Sequence, residues 1–248
     1  MKRYAVFTAR FALVPMISGT FVVSAGGTGA VIEWAHIIMG FATLYLILGL
    51  LLMSFRHQQV RPQAALALAL GLLEAIPHVP RLHATVSPIL FATLAWAVMV
   101  LPPKIETAQE KSRWIFGLPA LVLLPILYGV GYRHQTSGFL PHIGAALLVS
   151  GLLLGVCIAQ NERQPTNAAL RRACNLTITA VMLQVVLGFA AFIIRLLELQ
   201  NGFLLAIVRT AHITAAAFVL AASVEFAIQY RRRAVETAVP VVTAKAAA

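Results

Sequence analysis

Val31-Ile-Glu-Trp-Ala-His-Ile-Ile-Met-Gly40 sets a carboxylate and an imidazole three residues apart at the start of a long apolar run. On a helix that spacing puts Glu33 and His36 on one face, about a turn apart. The run continues to residue 54, long enough to cross a bilayer, which takes roughly 20 apolar residues. An ionisable pair at the mouth of a membrane helix is costly to place there, so it marks a candidate functional site.

The whole chain matches this stretch in character. Its 248 residues are 60% hydrophobic and only 11% charged, with a mean hydropathy of +0.87. That leaves too few polar residues to cover a soluble globule, and the expected class is an all-α membrane protein embedded in a lipid bilayer. A formal charge of +11 raises the question of nucleic acid. The basic residues, however, fall in short groups between apolar spans, which is a topology signal and excludes a nucleic-acid partner. The chain has no Asp, and Cys157 and Cys174 form no Cys-x-x-Cys pattern, so no disulfide or zinc framework is expected.

Apolar runs of spanning length lie near 7–26, 31–54, 63–79, 83–101, 114–133, 139–160, 173–195 and 203–229, which predicts eight transmembrane helices. The third is the shortest and holds Glu74 and Pro77 towards its end. The N-terminus, the 55–62 turn, the 102–113 loop, the 161–172 loop and the tail carry 15 of the 19 Lys and Arg residues. The opposite side has only Arg81, Arg133, Arg195 and Arg209. By the positive-inside rule both termini are cytoplasmic and the Glu33 end of the second helix faces outward. Lys2, Arg3, Arg10 and the Val23-Ser-Ala25 stretch also resemble a secretory signal, but an internal repeat argues that the segment is retained. With no long targeting presequence, the expected home is a prokaryotic cytoplasmic membrane.

The repeat divides the chain into an N-terminal four-helix unit (1–101), a cytoplasmic linker (102–113), a C-terminal four-helix unit (114–230) and a cytoplasmic tail (231–248). Leu13-Val-Pro15-Met-Ile-Ser-Gly19 is echoed by Leu123-Leu-Pro125-Ile-Leu-Tyr-Gly129. Two four-helix bundles in the same orientation imply a pseudo-twofold axis along the membrane normal. His36, His83, His142 and His212 all fall near the outer ends of even-numbered helices, two in each unit. Two imidazoles facing each other across a bundle can ligate one haem iron from opposite sides. A lone histidine at a membrane interface is ordinarily just hydrogen-bonded there, but four at matching positions in two repeats favour ligands. His57 sits in a basic cytoplasmic turn and is read as solvated; His78 and His134 lie in outer loops and are read as rim residues.

Arg81 precedes His83 by two residues, Arg209 lies one turn before His212, and Arg133 sits in the turn leading to His142. Guanidinium groups suit the two carboxylates of a haem, so these three are propionate candidates. The equivalent of Glu33, three residues before His142, is Phe139, so only the first site has a nearby carboxylate able to act as base or charge stabiliser. A helix-start residue favoured by the dipole is the plainer reading of Glu33.

Together, the Gly19-Thr-Phe-Val-Val to Gly26-Gly-Thr-Gly29 passage, Glu33-Trp-Ala-His36, Gly71-Leu-Leu to His83, Gly129-Val-Gly-Tyr-Arg133-His134 to His142, and Gln184-Val-Val-Leu-Gly188 to His212 resemble the heme A synthases. The similarity runs from about residue 7 to 229. It implies a membrane oxidoreductase that converts haem O to haem A by successive hydroxylation of a ring methyl, in the service of cytochrome oxidase assembly. His36 and His83 would then bind substrate haem O, Glu33 would be the catalytic carboxylate, and His142 and His212 would ligate a resident haem b. The implied partners are the membrane enzyme that makes haem O and an electron acceptor the sequence does not identify; a homo-oligomer is left open. The chain departs from longer members in having a Gly-rich turn where they carry an outer loop with a cysteine pair. A diheme b-type cytochrome that only transfers electrons needs the same histidines but not Glu33. An unrelated transporter, with His and Arg lining a polar pathway, is a third reading.

Overall fold

The structure, a computed structural model, describes residues 1–27, 29–76, 79–101, 114–197 and 202–236, with the side chains of 114 and 233–236 left out. The linker 102–113, most of the tail, His78 and Glu198 therefore lie outside the described residues. Those described form eight α-helices: α1 Lys2–Ser24, α2 Ala30–Ser54, α3 Arg61–Glu74, α4 Pro80–Val100, α5 Gly117–Arg133 after a short 3₁₀ turn, α6 Phe139–Arg163, α7 Ala168–Leu196 and α8 Gly202–Glu236.

Helix boundaries follow local chemistry. Proline stands at the first turn of α3 and α4, where its missing N–H costs nothing. Asn167 caps α7 by accepting from the Leu170 N–H at 2.9 Å. Between α1 and α2, Gly26, Gly27 and Gly29 have φ of 74°, 101° and 86°, a left-handed path that side chains strongly disfavour. That is why so tight a reversal is glycine-rich.

Six helices are long and apolar enough to cross a membrane: α1, α2, α4, α6, α7, and α8 over Gly202–Arg232. This bears out the membrane class. The remaining two are shorter. α5 is an apolar helix of 17 residues. α3 has 14, about 21 Å at 1.5 Å per residue, against a hydrocarbon core of about 30 Å. The span expected over 63–79 ends at Glu74, in a turn at Ala75 and Ile76; Ile76 precedes Pro77, a position that disfavours helix. α8 in turn continues to Glu236, into the stretch read as tail.

Neighbouring helices pack as α1–α2, α2–α3, α3–α4 and α1–α4, and as α5–α6, α6–α7, α7–α8 and α5–α8; α4 meets α8, with α1–α8 and α4–α5 contacts beside it. One buried cluster draws on α1 to α4 and on Val60 in the turn before α3, and is rich in alanine, from Ala5, Ala9 and Ala12 to Ala64, Ala67 and Ala97. Small residues let membrane helices approach closely. Burial repeats along the chain. Gln63, Ala64, Ala67 and Gly71 are buried on α3, and one constant interval later Ala173, Cys174, Thr177 and Val181 are buried on α7. Over the same interval Thr8, Ala9 and Ala12 of α1 answer to Leu118, Pro119 and Val122 of α5. Outer faces expose large apolar side chains such as Val31, Tyr45, Leu140 and Leu148, as a surface bathed in lipid would.

Candidate functional site

The four histidines predicted from sequence come together as two pairs. His36 on α2 faces His83 on α4 with ring centroids 5.8 Å apart and planes at 83°. His142 on α6 faces His212 on α8 at 6.2 Å and 87°. In all four rings Nδ1 is tied to a backbone carbonyl of the neighbouring odd-numbered helix. His36 donates to Pro15 O at 3.0 Å, His83 to Glu74 O at 3.3 Å, His142 to Pro125 O at 2.9 Å and His212 to Gln184 O at 3.2 Å. A carbonyl at Nδ1 fixes the tautomer and turns the Nε2 lone pair away from the backbone, the arrangement typical of ligating histidine; in His212 that lone pair meets the side-chain amide of Gln184 at 3.3 Å.

The Pro-x-x-x-Gly echo now has a physical meaning. The proline carbonyl holds Nδ1, and the glycine one turn on makes room for the ring. A Cβ on Gly19 would stand 2.5 Å from Cε1 of His36, and one on Gly129 would stand 3.0 Å from Cε1 of His142. On α7, Gln184 and Gly188 repeat the device for His212, where the corresponding approach is 3.0 Å.

Among the described residues no group of three or more His, Cys, Asp or Glu is gathered as a metal cluster. A pair of opposed imidazoles suits a metal that brings its own equatorial nitrogens. An ion held from both sides at about 2 Å per bond puts the two ring centroids roughly 6 Å apart, which is the separation seen in both pairs. Both pairs open into one cavity of about 1290 Å³, larger than the roughly 300–1,000 Å³ that encloses a drug-sized ligand. Its walls are mostly apolar, with Phe41, Phe91, Phe139, Phe189 and Phe192 among them.

No protein-family model matches the chain, and no curated protein matches it. What the site can do is therefore set by its own chemistry.

The arginines separate. Arg133 and Arg209 line the cavity close enough for their charges to oppose each other, and Arg133 also donates to Ser24 Oγ at 3.1 Å. Arg195 lines it too, donating to the Tyr132 hydroxyl and lying over that ring. Two neighbouring guanidinium groups at an apolar chamber call for an anion. Arg81 is exposed and not part of the wall. His134, in the turn after α5 and part of the wall, is held below the ordinary histidine value, first by burial and then by Arg133 and Arg81.

Glu33 occupies the first turn of α2, exposed and 3.8 Å from where a Cβ on Gly27 would lie; it does not line the cavity. Its counterpart Phe139 does, stacked on Phe192 at 5.2 Å. The carboxylate that does line the cavity is Glu74, beside His83 and Ser87. The sequence marks it only as a residue near the end of the third span, because the end of a short helix nine residues before a histidine does not announce that its carbonyl and side chain meet that ring. Gln184, in sequence no more than the first residue of the Gln184-Val-Val-Leu-Gly188 stretch, proves to be the support of His212.

Proposed function

We propose that the chain is a membrane haem protein of the heme A synthase type, an oxidoreductase that takes haem O to haem A. The observation that carries this reading is the twofold occurrence of imidazoles 5.8 Å and 6.2 Å apart, each oriented by a backbone carbonyl, on one chamber with arginines in its wall. In this reading the eight helices form two four-helix bundles about a pseudo-twofold axis, both termini are cytoplasmic, and the membrane is the prokaryotic cytoplasmic one. The repeated burial of α1 and α5, and of α3 and α7, supports the two-unit arrangement.

His36 and His83 would hold haem O, His142 and His212 a resident haem b, and Arg133 and Arg209 the propionates. Haem supplies redox chemistry when bound. The residues of the chain supply the rest: Pro15, Glu74, Pro125 and Gln184 orient the rings through their carbonyls, Gly19, Gly129 and Gly188 seat them, and the phenylalanines of the wall would exclude water from the chamber. Partners would be the enzyme that delivers haem O and an electron acceptor.

Expression of the full chain with a source of haem O, followed by pigment extraction, tests the proposal. The expected result is low-spin b-type absorption in the purified protein and haem A among the pigments; no haem absorption at all removes the reading. A diheme electron-transfer cytochrome is the second reading, favoured by the position of Glu33 outside the cavity wall, and it predicts b-type haem with no haem A. If Glu33 is the catalytic carboxylate, Glu33→Gln abolishes conversion while leaving haem b bound.

A further inference from the structure

Glu74 and Gln184 occupy the same place in the two halves. Each ends the stretch over which the burial of α3 and α7 repeats, each gives its carbonyl to the Nδ1 of a paired histidine, and each lines the cavity. Each also has a buried Oε1 with no hydrogen-bond partner. Gln184 still has a use for its amide, which lies 3.3 Å from Nε2 of His212. Glu74 has Ser87 and His83 beside it, but the ring nitrogen of His83 nearest the backbone is committed to the Glu74 carbonyl.

A buried acceptor left without a donor costs about 1–3 kcal/mol; Gln184 also donates, through the amide that meets His212, whereas an ionised Glu74 can only accept, a cost offset by a donor brought in with the ligand. We infer that Glu74 is a specificity-determining residue of the first site, accepting at Oε1 a hydrogen bond from a hydroxyl group on the porphyrin bound between His36 and His83. This rests on the haem reading above and adds to it the chemistry by which one site tells a hydroxyl-bearing porphyrin from protohaem, which has apolar vinyl groups instead. Loss of a hydrogen-bonding partner discriminates far more strongly than a change in apolar bulk. Gln184 shows that a carboxamide fits this place in the fold, so Glu74→Gln keeps an acceptor with little change in shape.

The full-length protein, purified from cells making both haem O and protohaem, supplies the test. Extracted pigments are quantified, with haem O and its oxidised products counted together against haem b. The wild type is expected to carry both classes. Glu74→Leu and Glu74→Met should lower the haem O class at least tenfold while haem b in the second site is retained, which also reports that the variant is folded. Glu74→Gln should stay within about twofold of the wild type. A wild-type pigment ratio in both apolar variants overturns the inference, as does a loss in Glu74→Gln as large as in Glu74→Leu. Absence of haem absorption from the wild-type protein itself overturns the haem reading instead, so the two failures are distinguishable.

Discussion

A Cβ on Gly19 would meet His36 Cε1 at 2.5 Å, so Gly19→Ala must push the imidazole off its carbonyl. Disturbing the support of a metal ligand typically weakens the site 10- to 100-fold, and a haem titration of the purified variant should show that loss at the first site only. Gly155→Ala, where nothing lies within 4 Å of the added carbon and which does not line the cavity, should leave both sites intact in the same titration. His134 gives a prediction in pH. Its folded value lies below the ordinary one of about 6.5, so as pH falls through that range the unfolded chain takes up the proton first, and this one group then favours unfolding. Histidine-resolved NMR should find it titrating below about 6.5, and the charge at the arginine-lined wall should hold steady at neutral pH. At this scale the four paired histidines were legible in the sequence, because ionisable groups recurring at matching depth in two repeats are too costly in lipid to recur without a use. The sequence ranked Glu33 above Glu74, since Glu33 stands one helical turn from a histidine and Glu74 nine residues from one; only the three-dimensional path shows that Glu74 is the one in the chamber wall.

Among the elements, α7 is the most extended support of a histidine, running 29 residues from a side-chain cap at Asn167. Asn167→Ala removes the acceptor of the Leu170 N–H and should cost about 1 kcal/mol, read as a lower midpoint of thermal unfolding in detergent with spectra unchanged. α3 is its shorter counterpart, and most of the difference falls beyond Glu74 and Gln184, where α7 continues for three more turns and α3 stops. Hydropathy found both helices but overran α3, because Ile76 and Val79 are as apolar as a membrane span requires while a proline in the sequence disfavours helix at the residue before it. The kinship of α1 and α5 was readable from Pro-x-x-x-Gly alone. That of α3 and α7 was not, since Gln63, Ala64, Ala67 and Gly71 differ from their counterparts at every one of the four positions, and only the pattern of burial links them.

For the molecule as a whole, composition was enough to place it in a bilayer, and six helices of spanning length agree. How the halves meet lay beyond the sequence, because helix–helix contacts in lipid rest on the fit of small apolar side chains, which carry no pairing code. Here α4 and α8 meet, with Phe91 edge-on to Phe218 at 5.2 Å. Phe226 is wholly buried, and Phe226→Ala should cost about 3–5 kcal/mol, enough to reduce the yield of folded protein from membranes and to lower the midpoint of chemical unfolding. The undivided chamber has consequences for assembly. On the proposed haem reading, two flat guests would share one room, so whichever settled first would narrow the doorway for the second, and filling would acquire an order that neither pair of rings would impose if it had a room of its own.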